Sequence, residues 1–299
     1  SDLVTEVIAA HAPLFEKASV DEHYLDITGM DRFFGSLKWT KELRHTIIKE
    51  TGLPISFGLS VNKTVSKVAT GEAKPNGALE VPGGMERNFL RPLSIKKMPM
   101  IGNKTYRLLR SMGIATIGTL SEIPQEMVGQ VLGKNGHTLW KRANGIDHTP
   151  IRCWSEQKSM SSECTFESDT IDVQYLHKVL VSMTERLAFQ LRKQQKMVSN
   201  VAVKVRYANF DTHTIQQRIP YTVFDHQLIT VARSLFDRLY QRRMLVRLVG
   251  LRFSNLVGGV QQLNMFEDTP EMSSLYNAMD NIRLRYGSKA IQRAVGLRY

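Results

Sequence analysis

Asp21 and Glu22 stand side by side in 18-ASVDEHYLDITG-29, between two runs that read as β-strands. Successive strand residues point to opposite faces, so an Asp-Glu pair inside a regular strand does not easily serve one site. A turn changes that. If Ser19 and Val20 end one strand and His23 to Asp26 begin the next, both carboxylates lie at a hairpin tip and can converge on one hard cation. Mg²⁺ takes oxygen ligands and keeps several waters, so two or three carboxylates plus substrate phosphates make a sufficient site. An Asp-Glu pair at a turn is also an ordinary solvated corner, and spacing alone does not decide between the two.

The elements around the pair read as an α/β layer. Up to about Gly77 the order is helix, strand, strand, helix, strand, helix. The helix over 36-SLKWTKELRHTIIKETG-52 carries Leu37, Leu43 and Ile47 at helical spacing, and Gly52 closes it. Strand 55-ISFGLSV-61 follows, and Asn62 is placed to cap the helix holding Val65, Val68 and Ala69. The helices should cover one face of the sheet and leave the other for a ligand.

From about Gly83 to His148 the chain changes to short helices broken by glycine, which predicts a small helical domain. Residues 149–157 have little periodicity, one proline and mixed charge, and read as a linker. Strands near 159–166, 199–208, 213–221 and 245–254 then alternate with helices over 172–194 and 227–240. That β-α-β-β-α-β order predicts a ferredoxin-like sheet with both helices on one face. Lys204, Arg206, Arg247 and Arg252 should then make the open face a basic platform. The remainder, 256–299, reads as a flexible tail: a glycine-rich, then acidic tether up to about residue 270, then an amphipathic segment with Leu275, Met279, Ile282 and Tyr286 along one face that suggests a terminal helix.

The totals agree with a polyanionic partner. Forty Lys and Arg against 28 Asp and Glu leave a formal charge of +12 over 299 residues, and nucleic acid is the commonest polyanion. No stretch approaches the ~20 apolar residues of a membrane span, and no secretory pattern opens the chain, so a cytoplasmic location is expected, nucleoid-associated where the polyanion is DNA, and nothing demands more than a monomer. The two cysteines, Cys153 and Cys164, form no Cys-x-x-Cys pair, which supports neither a disulfide framework nor a zinc site.

Three motifs in order, S-V-D-E-x-Y-L-D, then G-L-S-V-N-K-T-V-S-K-V-A at 58–69, then A-K-P-N-G at 73–77, resemble the palm of Y-family translesion DNA polymerases, the bacterial DNA polymerase IV and UmuC-like branches above all. The resemblance implies a division into partial palm (1–82), thumb (83–148), linker (149–157), little finger (158–255) and clamp-binding tail (256–299). It also implies that Asp21 and Glu22 bind two catalytic Mg²⁺ ions for template-directed transfer of a deoxynucleotide to a primer 3′-hydroxyl. Lys74, in A-K-P-N-G, would meet the incoming triphosphate.

The same resemblance gives roles further along. Pro99-Met100-Ile101-Gly102-Asn103-Lys104-Thr105 resembles the hairpin of a helix-hairpin-helix, and Gly102, Lys104 and Thr105 would hold a DNA phosphate without reading sequence. Met100 stands where the common form has glycine. Lys158, in the opening strand of the little finger, would join the basic platform along primer-template DNA. Gln262, Leu263, Met265 and Phe266 resemble the short motif that docks bacterial polymerases on the sliding clamp.

The family also begins with an aspartate-bearing strand that supplies a further metal ligand and an aromatic gate, followed by a fingers domain. This sequence enters the pattern just before S-V-D-E. Asp31, Phe33 and Phe34 in 30-MDRFFGS-36 echo the missing motif in the wrong place, so the two rings are assigned to packing. The expectation is a chain that binds DNA and does not extend a primer by itself. The rival from another class is a non-catalytic DNA- and clamp-binding protein on the same scaffold, against which the retained Asp21 and Glu22 speak. A metal nuclease leaves Lys74 and the thumb hairpin unexplained.

Overall fold

The computed structural model describes residues 1–30, 35–154, 156–241, 243–259 and 269–296. The chain divides into two units, Ser1–Ser155 and Glu156–Tyr299.

The first unit opens with α1 (Asp2–His11), β1 (Leu14–Lys17), β2 (His23–Asp26), α2 (Ser36–Thr51), β3 (Phe57–Leu59), α3 (Lys63–Glu72) and β4 (Ala78–Glu80). β1 and β2 form an antiparallel hairpin, and β3 pairs in parallel with β4. β4 was not expected, because three residues after a Pro-Asn-Gly turn carry no period to read. Among the described residues these are two separate two-stranded sheets rather than one layer. Gly52 closes α2 in the left-handed conformation (φ 71°), and the Asn62 side chain accepts from Val65 N at 3.0 Å at the start of α3. Val7 and Ile8 of α1 pack with Leu43 and Ile47 of α2, against Phe15 and Leu25 of the hairpin.

Five helices follow: α4 (Glu86–Leu90), α5 (Asn103–Ser111), α6 (Ile117–Glu122), α7 (Gln125–Leu132) and α8 (Lys134–Ala143). Their buried Leu90, Leu109, Ile117, Leu120 and Leu139 share one core with Val65, Val68 and Ala69 of α3. This core therefore crosses the boundary expected at residue 83. The stripe of α3 at i, i+3, i+4 is claimed by the helices, while α1 and α2 are served by a core of their own. Gly58 makes the arrangement possible, since a Cβ there would come within 2.6 Å of Thr70 N and 2.7 Å of Ala69 Cβ of α3.

The second unit runs β5 (Ser159–Thr170), α9 (Val173–Lys193), β6 (Lys196–Tyr207), β7 (Thr212–Thr222), α10 (Asp225–Leu239), β8 (Val246–Gly258) and α11 (Thr269–Tyr286). The sheet is antiparallel throughout, in the order β5-β8-β6-β7. Here the ferredoxin-like expectation needs correction: in that fold the last strand takes an edge, whereas β8 is central. Composition gives the reason. β6 and β8 are the more apolar strands and are paired along both edges, while β7 contains Pro220, which cannot donate to a ladder, and β5 is largely polar. Leu176, Leu180, Leu187, Leu228 and Phe236 of the helices close the core over Val201, Val203, Val249 and Leu251.

The final amphipathic segment forms the terminal helix expected of it, α11, but the side that packs is the polar one: Tyr276 and Arg283 are buried, and Arg192 of α9 holds Asp280 Oδ2 at 2.6 Å and Asp225 Oδ1 of α10 at 2.5 Å. The apolar stripe read from the sequence faces out, with Leu275 50% and Tyr286 67% exposed. Buried ion-pair partners on α9 and α10 outbid the stripe for the inward position. Asp31, Phe33 and Phe34, and Gln262, Leu263, Met265 and Phe266, lie outside the described residues.

Candidate active site and nucleic-acid interface

Asp21 and Glu22 sit in the five-residue turn between β1 and β2, which Glu22 O closes by accepting from Ala18 N at 3.0 Å. The first strand ends at Lys17, three residues earlier than expected, and both carboxylates line an open cleft of about 1600 Å³. Ser19 Oγ donates to Asp21 Oδ1 at 2.7 Å. That hydrogen bond, then one from a backbone N–H, holds the Asp21 carboxyl below its ordinary 3.8, and the positive charges of Lys74 and Lys67 act in the same direction.

Lys67 is the residue that sequence reasoning missed. Its Nζ lies 2.6 Å from Glu22 Oε2. Burial pushes the Lys67 amine down, but the hydrogen bond it donates to Glu22 and the neighbouring charges outweigh it and raise it above 10.5. One turn earlier on the same helix face, Lys63 Nζ meets Glu16 Oε2 of β1 at 2.8 Å and lies 4.7 Å from the Tyr24 ring. The signal was present in 62-NKTVSKVA-69 as two lysines at i, i+4.

Lys74 also lines the cleft. Its turn is clamped from outside. Arg44 Nη2 of α2 donates to Asn76 O at 2.8 Å and to Asn76 Oδ1 at 2.5 Å, and Gly77 N donates to Ser56 Oγ at 3.1 Å. Gly77 must be glycine, because a Cβ there would strike Ala73 O. At the far side of the cleft, Thr64 Oγ1 at the start of α3 donates to Asp147 Oδ2 at 2.5 Å, and Thr149 N to Asp147 Oδ1 at 3.1 Å.

The donors at the turn are hard oxygen ligands, exposed enough for water to complete a coordination shell, which suits Mg²⁺ held jointly by protein and phosphates. Among the described residues no group of three or more His, Cys, Asp or Glu converges as a metal site. No helix among them is long and apolar enough to cross a membrane.

The loop 98–102 joins a single 3₁₀ turn (Ile95–Lys97) to α5, so it is not flanked by two α-helices. Met100 occupies the missing glycine's place with φ 73° and is 55% exposed. Gly102 caps α5 with no side-chain bond, which leaves the first N–H groups of the helix to an outside acceptor. Lys104 is exposed beside it and Thr105 half-buried.

On the second unit the register puts Lys204 opposite Gly250, Arg206 opposite Leu248 and Arg252 opposite Ala202, so these three cations share the face away from the helices. Arg247 is different. It falls where the β6–β8 register shifts, with its guanidinium 4.9 Å from the Phe210 ring and 3.7 Å from Asp169. Lys158 is exposed just before β5.

A protein with paired carboxylates on a hairpin, lysines around the same cleft and a basic sheet in a second unit has the parts of a nucleotidyl-transfer enzyme. The sequence matches the impB/mucB/samB family over residues 1–71 and the C-terminal domain of that family over residues 157–265. DNA polymerase IV of Dehalococcoides mccartyi is 35% identical over 289 residues, which cover 96% of this chain and 74% of that protein. DNA polymerase IV of Desulfatibacillum aliphaticivorans is 31% identical, over 97% of this chain and 75% of that one. Among solved structures, a Y-family DNA polymerase chimera of Dbh and Dpo4 shares the fold with a TM-score of 0.75 at 22% identity, over 87% of this chain and 76% of that one. The chain belongs to the Y family of DNA polymerases, DNA-directed enzymes of translesion synthesis.

Proposed function

We propose that the cleft of the first unit is the nucleotidyl-transfer site and that primer-template DNA and a deoxynucleoside triphosphate are its ligands. The observation that carries this reading is the convergence of Asp21, Glu22, Lys67 and Lys74 on one cleft. Asp21 and Glu22 would hold Mg²⁺, two ions in the complete enzyme, which when bound stabilise both the attacking 3′-oxygen and the leaving pyrophosphate. Lys74 offers a fixed positive charge to the triphosphate, and Lys67 orients Glu22 until a divalent ion takes its place.

In this reading residues 1–82 are palm, 83–148 thumb, 158–255 little finger and 256–299 a clamp-binding tail of a monomer. Gly102, Lys104 and Thr105 hold a phosphate at the start of α5. Lys158, Lys204, Arg206 and Arg252 follow the duplex backbone, with Arg247 at its margin. Gln262, Leu263, Met265 and Phe266 dock a bacterial sliding clamp.

Two carboxylates are fewer than a two-metal site usually takes, so the 299-residue chain alone should bind primed DNA and leave the primer unextended with Mg²⁺ and all four deoxynucleotides. Mn²⁺ binding followed by paramagnetic resonance should weaken in Asp21→Asn and in Glu22→Gln. Extension abolished by Asp21→Ala would show that a further ligand comes from within this chain. Mn²⁺ affinity unchanged from the parent in both variants would remove the metal role altogether.

A further inference from the structure

The β6–β7 hairpin turns through Ala208-Asn209-Phe210-Asp211, and its shape is tightly set. Phe210 N donates to Tyr207 O at 2.9 Å, Tyr207 N to Asp211 O at 2.9 Å, and Asp211 N to Asn209 Oδ1 at 3.0 Å. Phe210 takes the left-handed position, with φ 69°. Glycine or asparagine normally fills such a place, and a bulky aromatic there costs stability. Burial does not compensate, because the side chain is 64% exposed. An exposed aromatic kept at a strained position points to a contact outside the chain.

Its surroundings say what kind. The Arg247 guanidinium lies 4.9 Å from the ring centroid and backs the ring. Phe210 O accepts from Thr212 Oγ1 at 3.3 Å, and the same hydroxyl accepts from Arg206 Nε at 2.8 Å. The ring thus stands at the end of the basic sheet face, four residues from Arg206 of its cation row and linked to it through Thr212. A positive surface that follows a backbone, with an aromatic on which a base can lie, is the arrangement that binds single-stranded nucleic acid without reading its sequence.

We propose that Phe210, braced by Arg247, is a stacking platform for an unpaired base of the DNA strand lying along this sheet, an inference that rests on the sheet face being the DNA-binding face. It adds affinity for DNA with a single-stranded segment and none for fully paired duplex.

The test is equilibrium binding of the full 299-residue chain, by fluorescence anisotropy at fixed salt, to a primer-template with a 5′ template overhang and to a blunt duplex. Phe210→Ala and Phe210→Gly should each weaken overhang binding about tenfold and leave the duplex within about twofold. Phe210→Tyr should keep the parent affinity. Phe210→Gly should also raise the thermal midpoint, since glycine accepts the left-handed turn, so its loss of binding has no origin in misfolding. Lys204→Ala with Arg206→Ala should weaken both DNAs. If that double variant weakens both and the Phe210 variants change neither, the platform is refuted and the sheet reading stands. Equal weakening of both DNAs by Phe210→Ala would refute stacking in favour of a backbone contact. If no variant weakens either DNA, the sheet reading falls and the platform with it.

Discussion

Lys204 Nζ on β6 donates to Glu163 Oε1 on β5 at 2.6 Å, reaching across the intervening β8 at the level of Gly250. Gly250 leaves the space for this, as a Cβ there would stand 3.0 Å from Glu163 Cγ and 3.4 Å from Lys204 Cβ. The basic face therefore carries its own anion at its centre. Glu163→Gln should free Lys204 for a phosphate, tighten duplex binding at low salt and steepen the slope of log K against log salt by about one. Titrations between low and moderate salt would show this, and parallel lines for parent and variant would mean that Lys204 stays off the DNA.

Met100 holds a conformation that glycine adopts freely, and its side chain, 55% exposed, is met at the sulfur by Arg142 Nη1. Met100→Gly should stabilise the first unit by about 0.5–1 kcal/mol, the relieved strain exceeding the entropy lost by glycine. A higher urea midpoint with unchanged slope is the expected result.

Asp147 carries a pH dependence. Burial pushes its carboxyl up, but hydrogen bonds from Thr149 and Thr64 and the charge of Arg142 outweigh it and hold the group below the ordinary 3.8. A depressed value in the folded state means stability that is present above 3.8 and is lost as pH falls through the folded value. Asp147→Asn should cost about 1–2 kcal/mol at neutral pH. Denaturant curves of parent and variant should converge below pH 3.8; a gap that stays constant with pH would assign the loss to shape instead.

Arg192 is 9% exposed between Asp225 and Asp280. Arg192→Met should destabilise the second unit by about 3–5 kcal/mol, most of it from leaving the fully buried Asp225 without its nearest cation. Adding Asp225→Asn should return at least about 1 kcal/mol, since the two residues are in contact and cannot act additively. Calorimetry of the two single variants and the double variant would decide it.

Much of the fold was legible because it depends on local chemistry. Gly52 and Asn62 ended and began helices where their backbone preferences put them, and the Asp21-Glu22 turn followed from the polar break between two short strands. The order of strands in the second unit was readable and their neighbours were not, since pairing depends on which strand tolerates an edge. The stripe of Leu275, Met279, Ile282 and Tyr286 misled for a related reason: apolar periodicity shows that a helix has two sides, while Arg192, Asp225 and Asp280, far apart in sequence, decided which side went in. Lys67 was missed because its partner Glu22 is 45 residues away.

Helix α3 works as a strut. Its inner side is seated through Val65, Val68 and Ala69 in the same core as α5 to α8, and its outer side grips the β1–β2 hairpin through Lys63 on Glu16 and Lys67 on Glu22. A displacement of that core can thus travel through one stiff rod to the hairpin, arriving at Glu16 in β1 and at Glu22 in the turn. The packing of the helical core and the aim of Glu22 are, in this unit, two ends of one lever.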